Sequence, residues 1–231
     1  KGKWLIFADA DDFFLPDFEK MLDKYADSDA DMICFANTAA DSETLAPALE
    51  YSWSMTSKMA KARHGSARYT PPLFQEIAGQ TYPDGLDVIR YDTGVVWCRF
   101  IKRELVEQYK IRFQETVCRN DTLFAVKIGC TAKTILLDET AIYCYTQRQG
   151  NTVDNFDFKY QKARYFVSKS VMKFLREQKN AAGIRIFDDD LLFWYEQLKQ
   201  NKYLYIKEFI PVLLLTVTKK QLRKNFWTIV S

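Results

Sequence analysis

Three aspartates stand within four positions near the start of the chain, at Asp9, Asp11 and Asp12. They directly follow the apolar residues 4–8 and precede Phe13 and Phe14. Carboxylates this close repel one another unless a metal ion, an arginine or open water lies among their oxygens. The spacing therefore predicts that this segment contacts one of these three.

Two alternative interpretations of the acidic segment require particular residues at other positions in the sequence. A calcium-binding loop starting at Asp9 would need an oxygen ligand, a glycine and a glutamate at its fifth, sixth and twelfth positions. Phe13, Phe14 and Lys20 stand there, which excludes it. The segment also resembles the Asp-x-Asp of haloacid-dehalogenase-type phosphatases, whose second acidic pair could only be residues 188–190. Those residues lie among helical segments, which disfavours a phosphatase.

Two further interpretations remain. Asp12 alone could cap a following helix, where negative charge suits the helix dipole, but three carboxylates exceed that need. Hard carboxylate oxygens at the carboxyl end of a buried strand suit Mg²⁺ or Mn²⁺, which would neutralise a diphosphate leaving group. Ligands of open α/β sheets bind at that edge. This pattern favours a site for a divalent metal and a nucleotide sugar.

The sequence on either side of the aspartates predicts the strands and the helix that would position them. Residues 4–8 have the apolar character of a strand buried on both faces, as in a parallel sheet. A helix is expected to begin near Pro16, with one apolar stripe formed by Phe18, Met21, Leu22 and Tyr25. Residues 32–35 read as a second buried strand, which would complete a βαβ unit.

The rest of the chain alternates less regularly and then becomes helical. Residues 38–90 read as an insertion that carries basic residues Lys58, Lys61, Arg63, His64 and Arg68. Strands are expected at residues 93–98, 111–113, 134–137 and 141–145, with a short helix through Leu105 and Tyr109 and another from Asp121 to Gly129. Helices are expected from residue 155 to the end. The predicted class is α/β with a mixed sheet, with a domain boundary between residues 1–150 and 151–231.

The composition limits the kinds of binding partner and the cellular compartment that are expected for this chain. The net charge of +3 on 231 residues implies no nucleic-acid partner. Five cysteines without a C-x-x-C pair favour a reducing, cytoplasmic location. The apolar residues 209–215 are too few to cross a bilayer. Aromatic clusters at 192–195 and 203–205 leave a homodimer contact or a peripheral contact with the inner face of a membrane open.

Two long segments are similar to family 2 glycosyltransferases, the large group with the GT-A fold. Residues 1–37, KGKWLIFADADDFFLPDFEKMLDKYADSDADMICFAN, resemble the family's strand, Asp-x-Asp-Asp and amphipathic helix. Residues 94–151, GVVWCRFIKRELVEQYKIRFQETVCRNDTLFAVKIGCTAKTILLDETAIYCYTQRQGN, resemble its Trp-x-(Lys/Arg) segment, acidic dipeptide and Tyr-x-Tyr strand. The resemblance implies a partial GT-A-like mixed sheet followed by a helical region.

The same resemblance implies roles for individual residues. Asp9, Asp11 and Arg148 would bind the nucleotide-diphosphate sugar donor, and Asp9, Asp11 and Asp12 would hold Mg²⁺ or Mn²⁺. Asp121 would be the catalytic base that deprotonates an acceptor hydroxyl. The residues that would bind a saccharide or lipid-linked saccharide acceptor are Trp97, Glu115 and Asn120. Asn120 replaces the usual glutamate of the acidic dipeptide.

The expected function is therefore inverting, metal-dependent transfer of a hexosyl group, in bacterial surface polysaccharide or glycolipid synthesis. The family's nucleoside-binding strands precede the Asp-x-Asp, so the resemblance implies that on the order of a hundred residues stand upstream in the complete protein. On that basis this chain alone is expected to be inactive. The alternative is a non-catalytic association module that retains the fold.

Overall fold

The computed structural model describes residues 2–47, 87–92, 95–148, 155 and 157–200 of the 231-residue chain. The chain divides into two compact units, Lys1–Asn155 and Phe156–Ser231. The first unit contains a sheet with helices, and the described part of the second contains helices alone.

The first unit is built on a mixed sheet of five described strands. They are β1 (Trp4–Leu5), β2 (Phe13–Phe14), β3 (Met32–Asp41), β4 (Arg99–Lys102) and β5 (Ile135–Gln147). The order across the sheet is β1-β4-β3-β5-β2. β3 and β5 run parallel, whereas the other neighbouring pairs are antiparallel. The predicted α/β class with a mixed sheet is thereby confirmed.

β3 is buried on both faces, because alternate side chains of a strand point to opposite sides. Met32 and Cys34 belong to one hydrophobic cluster, and Ile33 and Phe35 belong to another. Helix α3 (Thr122–Thr131) packs into the first cluster, and α1 (Asp17–Lys24) packs against the second. The two helices thus cover opposite faces of the sheet.

The remaining described helical elements complete both units. A π-helical segment (Val88–Asp92) packs against α3, and α2 (Arg103–Gln108) follows β4 directly. In the second unit, α4 (Phe158–Glu177) and α5 (Ala181–Gln200) pack against each other. Buried residues of this pair include Val171, Leu175, Leu191 and Leu198. None of the helices in the described ranges is long and apolar enough to span a bilayer.

Several predicted elements are confirmed. α1 begins after Pro16, and its stripe of Phe18, Met21, Leu22 and Tyr25 is partly buried against the sheet. α2 and α3 occur where helices were expected, although α3 continues past Gly129 to Thr131. The prediction of helices from residue 155 to the end is confirmed by α4 and α5 as far as Gln200, and residues 201–231 lie outside the described residues. Predictions for residues 48–86, 203–205 and 209–215 lie outside the described residues.

The prediction that residues 4–8 form a strand inside a parallel sheet is wrong. Only Trp4 and Leu5 are in β1, which lies at one end of the described sheet and pairs antiparallel with β4. β1 and β3 are still parallel to each other, but β4 separates them. The expected βαβ unit therefore exists with a strand inserted in its middle.

Three other strand predictions also need correction. Of the strand expected at residues 93–98, residues 95–98 are not in a strand and residues 93 and 94 lie outside the described ranges. β4 begins at Arg99, because Cys98 has a left-handed φ of 58° that interrupts the extended backbone. Residues 111–113 form no strand. The two strands expected at 134–137 and 141–145 are one strand, β5, with register shifts opposite Phe35 and Ala36 that absorb extra residues.

The acidic segment crosses the sheet from one side to the other. Residues 6–12 connect β1 and β2, which are the two outermost strands in the described order. The connection is not fully extended, because the Asp12 N–H donates to the Asp9 carbonyl at 3.2 Å and closes a turn within it.

Candidate functional site

Asp12 faces inward and anchors the acidic segment to β5. Its Oδ2 accepts a hydrogen bond from the Tyr143 hydroxyl at 2.7 Å, and its Oδ1 accepts one from the Thr146 backbone N–H at 2.7 Å. Burial raises the pKa of Asp12 despite these hydrogen bonds, which lower it, and the charge of Asp11 raises it further. Both carboxylate oxygens are thus engaged by the protein.

These contacts bear on both roles considered for Asp12. Its oxygens bind Tyr143 and Thr146, and its role as a metal ligand stays a prediction. The helix-cap alternative is wrong, because α1 has Pro16 at its N-cap position and no side-chain capping hydrogen bond. Asp12 instead fixes the segment that carries the other two aspartates.

Asp9 and Asp11 are the other two aspartates of the predicted cation site. Burial raises the pKa of Asp9, and the charges of Asp12 and Asp11 raise it further. The Asp11 carboxylate lies 3.4 Å from the Arg148 guanidinium, and the two side chains are 40% and 60% exposed, respectively. The cluster is thus an electrostatically unfavourable set of like charges with an arginine at its exposed side.

Asp121 is the third candidate carboxylate, and it stands at the N-cap position of α3. Burial raises its pKa to about 6, and the charge of Asp9 contributes to the increase. Arg119 and the buried Arg99 lower the pKa, but they do not offset burial. A carboxyl group with a pKa near 6 is basic enough to accept a proton at neutral pH. The interaction with Asp9 places Asp121 within electrostatic reach of the acidic segment.

Three aromatic rings link the acidic segment to α3. Phe7 packs edge-on against Phe113 and Phe124, with ring centroids 5.2 Å and 5.4 Å apart. Phe113 and Phe124 stack in parallel at 4.3 Å. Phe7 is two residues before Asp9, and Phe124 is three residues after Asp121. The aromatic contacts therefore hold the two acidic groups on one side of the first unit.

The predicted acceptor-binding residues separate into two groups. Glu115 and Asn120 are exposed in the connection that precedes α3, next to Asp121 along the chain. Trp97 is buried and stacks on Tyr143 and Tyr145, with centroids 5.2 Å and 5.9 Å apart. Trp97 thus packs mainly against other rings, and its contact with an acceptor stays a prediction.

Asp9 and Asp11 could supply part of the coordination of a divalent metal. In the described residues, no group of three or more His, Cys, Asp or Glu side chains is arranged to hold a metal ion. Mg²⁺ is usually bound by one or two carboxylates together with waters and substrate phosphates. Asp9 and Asp11 fit that pattern, in which a bound diphosphate supplies the remaining oxygens.

Three residues of the site were not singled out from the sequence. Tyr143 and Thr146 contact the acidic segment from more than 130 positions away, and Arg99 is buried near enough to Asp121 to influence its pKa. The sequence signal that could have identified these residues was a polar side chain within a buried strand.

Residues 188–190 lie within α5 in the second unit, so no strand presents them as a phosphatase site would require.

Comparison with known proteins gives one family and a set of similar structures. Residues 1–109 match the model of Glycosyl transferase family 2. The structure of S. aureus TarS 1-349 in complex with UDP-GlcNAc matches with a TM-score of 0.46 and 14% identity, covering 90% of this chain and 53% of that one. TarS 1-349 in complex with UDP matches with a TM-score of 0.40 and 14% identity, covering 96% and 52%.

The chain thus spans about half the length of these two TarS chains. The TM-scores are below 0.5, so no residue role is transferred from them. No curated protein matches the sequence significantly.

Proposed function

We propose, from the match of residues 1–109 to glycosyl transferase family 2, that the first unit carries part of the catalytic site of an inverting glycosyltransferase. The donor would be a sugar linked to a nucleoside diphosphate, and the acceptor would be a hydroxyl of a saccharide or lipid-linked saccharide. One observation carries the proposal: the acidic segment and Asp121 lie within electrostatic reach of each other.

In the proposed reaction Asp121 acts as the general base. Its carboxylate accepts the proton of the acceptor hydroxyl as the hydroxyl oxygen bonds to the anomeric carbon. The bond from that carbon to the diphosphate oxygen breaks with its electron pair leaving on the diphosphate, so the configuration inverts. The increased pKa of Asp121 suits this step, because a base with a pKa near the operating pH is most effective.

The acidic segment would bind the donor. Asp9 and Asp11 would hold Mg²⁺ or Mn²⁺, which when bound neutralises charge on the departing diphosphate. Arg148 is next to Asp11 and exposed, so its guanidinium can turn towards phosphate oxygens. Asp12 holds the segment in place, and Glu115 and Asn120 are available to the acceptor because they are exposed.

The proposed setting is hexosyl transfer in the synthesis of a bacterial surface polysaccharide or glycolipid, on the cytoplasmic side of a membrane. It rests on the family resemblance. UDP is the first nucleotide to test, because the TarS structures contain UDP or UDP-GlcNAc.

The test is thermal stabilisation by UDP with and without Mn²⁺. At a ligand concentration about 100 times Kd, binding adds about 2.7 kcal/mol, which corresponds to roughly 5–10 °C in Tm for a chain of this size. We expect that increase only when both ligands are present. Asp11→Ala should abolish it, because one of the two available carboxylates is lost.

Asp23→Ala is the matched control, since Asp23 is an exposed aspartate on α1. It should respond as the wild type does. A wild-type chain that gains no stability from UDP and Mn²⁺ but associates as its concentration rises would contradict the proposal and favour the association module.

A further inference from the structure

Residues 9–12 form a turn, called the aspartate turn below, and a single tyrosine hydroxyl bonds to both of its ends. The Tyr143 hydroxyl accepts a hydrogen bond from the Asp9 backbone N–H at 2.9 Å and donates one to Asp12 Oδ2 at 2.7 Å. The Asp12 N–H in turn donates to the Asp9 carbonyl at 3.2 Å. The turn that presents Asp9 and Asp11 is therefore closed from both ends by one side chain.

The hydroxyl is held in place by the packing of its ring. Tyr143 is fully buried, with 0% of its surface exposed. Trp97 stacks on it with an interplanar angle of 11°, and Phe14 packs edge-on at 5.5 Å. The β2 and β5 pairing also sets Phe14 directly opposite Tyr143. A ring enclosed in this way cannot turn away from the aspartates without disrupting the core.

Thr146 provides a second connection three residues further along β5. Its N–H donates to Asp12 Oδ1, and its Oγ1 donates to the Asp11 carbonyl at 2.7 Å. Fixing the Asp11 backbone while Asp12 faces inward leaves the Asp11 side chain at the surface, where it lies beside Arg148. Tyr143 and Thr146 together determine which aspartates face inward and which face outward.

We propose that Tyr143 is a positioning residue that holds Asp9 and Asp11 in the geometry needed to bind a divalent cation and a nucleoside diphosphate. This inference rests on the proposed function. Trp97 contributes through its stacking on Tyr143. Side chains that orient metal ligands without touching the metal commonly change metal affinity 10- to 100-fold when they are replaced.

The phenylalanine variant isolates the hydroxyl. Tyr143→Phe keeps the ring that Trp97 and Phe14 contact, but it removes both hydrogen bonds to the acidic segment. The half-buried Asp12 carboxylate then loses a donor, and the Asp9 N–H loses an acceptor. The turn is free to adopt other conformations, so fewer molecules present Asp9 and Asp11 together.

Tyr25→Phe is the matched control. The Tyr25 hydroxyl donates to Asp138 Oδ2 at 2.7 Å, so this variant also deletes one tyrosine–aspartate hydrogen bond within the first unit. Tyr25 follows α1, and its hydroxyl bonds to Asp138 rather than to the acidic segment. The two variants should therefore lose similar stability while only one loses the support of the aspartates.

The measurement is Mn²⁺ binding to the full chain in the presence of saturating UDP, by titration followed with electron paramagnetic resonance of free Mn²⁺. We expect Tyr143→Phe to weaken Mn²⁺ binding about tenfold or more. Tyr25→Phe should stay within about twofold of the wild type, although both variants melt at a lower temperature. Wild-type Mn²⁺ affinity in a folded Tyr143→Phe variant would overturn the positioning role.

A second pair of variants covers the case in which Tyr143→Phe does not fold. Thr146→Val removes the hydrogen bond to the Asp11 carbonyl and keeps the side-chain shape, whereas Thr146→Ser restores the hydroxyl. Weaker Mn²⁺ binding in the valine variant with recovery in the serine variant supports the inference. Equal affinity in both variants overturns it. Failure of the proposed function gives a different pattern, in which the wild type and Asp11→Ala bind Mn²⁺ equally poorly.

Discussion

At the scale of residues, the most informative group is the Asp121 carboxyl. Burial disfavours its charged form, and the nearby charge of Asp9 adds to that effect, which together raise the pKa to about 6. Above pH 6 the folded protein therefore carries a charge that would be better solvated in the unfolded chain. Such a cost is expected of a catalytic base and is unusual for a residue that serves only the fold.

The pH dependence of stability follows with a definite sign. Between about pH 4 and pH 6 the folded Asp121 binds more protons than the unfolded one, because its folded pKa is the higher one. The stability that this group contributes is therefore lost as the pH rises through that window. Above pH 6 the loss is complete and constant.

Asp121→Asn should therefore stabilise the protein and abolish transfer. Without added metal, we expect its Tm to exceed that of the wild type at pH 7.5 and the difference to shrink towards pH 4. In a form of the protein that transfers sugar, transfer should fall by about 10²- to 10⁴-fold, since the amide cannot accept the proton. The two readouts are melting curves across pH and product formation. An unchanged transfer rate, or a Tm difference that is independent of pH, would contradict the role of Asp121.

At the scale of elements, α3 is positioned by its close approach to the π-helical segment. Arg90 Nη1 donates to the carbonyls of Gly129 and Ala132 at 2.6 Å and 2.5 Å, which satisfies backbone acceptors at the end of α3. A Cβ on Gly129 would lie 2.2 Å from the Arg90 carbonyl oxygen. Only glycine allows the two backbones to come this close, and Asp121 is at the other end of the same helix.

Gly129→Ala should consequently destabilise the first unit. Moving two backbones apart within a packed core costs about 1–3 kcal/mol, and the short contact suggests the upper end of that range. Urea denaturation should show a lower midpoint. Gly2→Ala is the control, because the nearest atom to its added Cβ is 3.7 Å away, and it should change stability by less than about 0.5 kcal/mol. Equal midpoints for the two variants would contradict the close contact.

The same elements show what the sequence could predict. α1, α2 and α3 were predictable because their apolar spacing or position is local information. β2 was missed, because Phe13 and Phe14 form a strand only by pairing with Tyr143 and Cys144, 130 positions away. The strand predicted at residues 93–98 did not match β4, because buried apolar residues have the same sequence pattern whether or not they pair with a neighbouring strand.

The candidate site also has residues that the sequence could identify and contacts that it could not. Asp9, Asp11 and Asp121 were singled out because carboxylates at the end of a strand or the start of a helix are conspicuous. The inward orientation of Asp12 could not be predicted, since it depends on the Tyr143 hydroxyl and the Thr146 N–H. The stacking of Trp97 on Tyr143 could not be predicted either, because a family motif does not distinguish a ring that touches a ligand from one that supports another ring.

At the scale of the whole molecule, every candidate residue lies in the first unit, Lys1–Asn155. The second unit has its own buried residues and polar contacts, including the Arg164 guanidinium 4.9 Å from the Trp194 ring and the Trp194 Nε1–H bond to Asp190. These features indicate that the two units are stabilised separately.

A chain that ends at Asn155 should therefore retain the response to UDP and Mn²⁺. We expect it to be folded by circular dichroism and to show a ligand-dependent increase in Tm within about twofold of that of the full chain. Asp11→Ala in the shorter chain is the control and should abolish the increase. A folded shorter chain without any response would show that the site needs residues of the second unit.

The contacts of Tyr143 and Thr146 with the aspartates span 131 to 135 positions. During translation at about 5–20 residues per second, the acidic segment leaves the ribosome roughly 7–25 seconds before β5 does. Until then nothing orients its carboxylates, and closing so long a loop is slow compared with forming local helices. The cation proposed to bind Asp9 and Asp11 would therefore be captured by a chain whose sheet is already complete, and it would not nucleate folding as zinc does in a zinc finger.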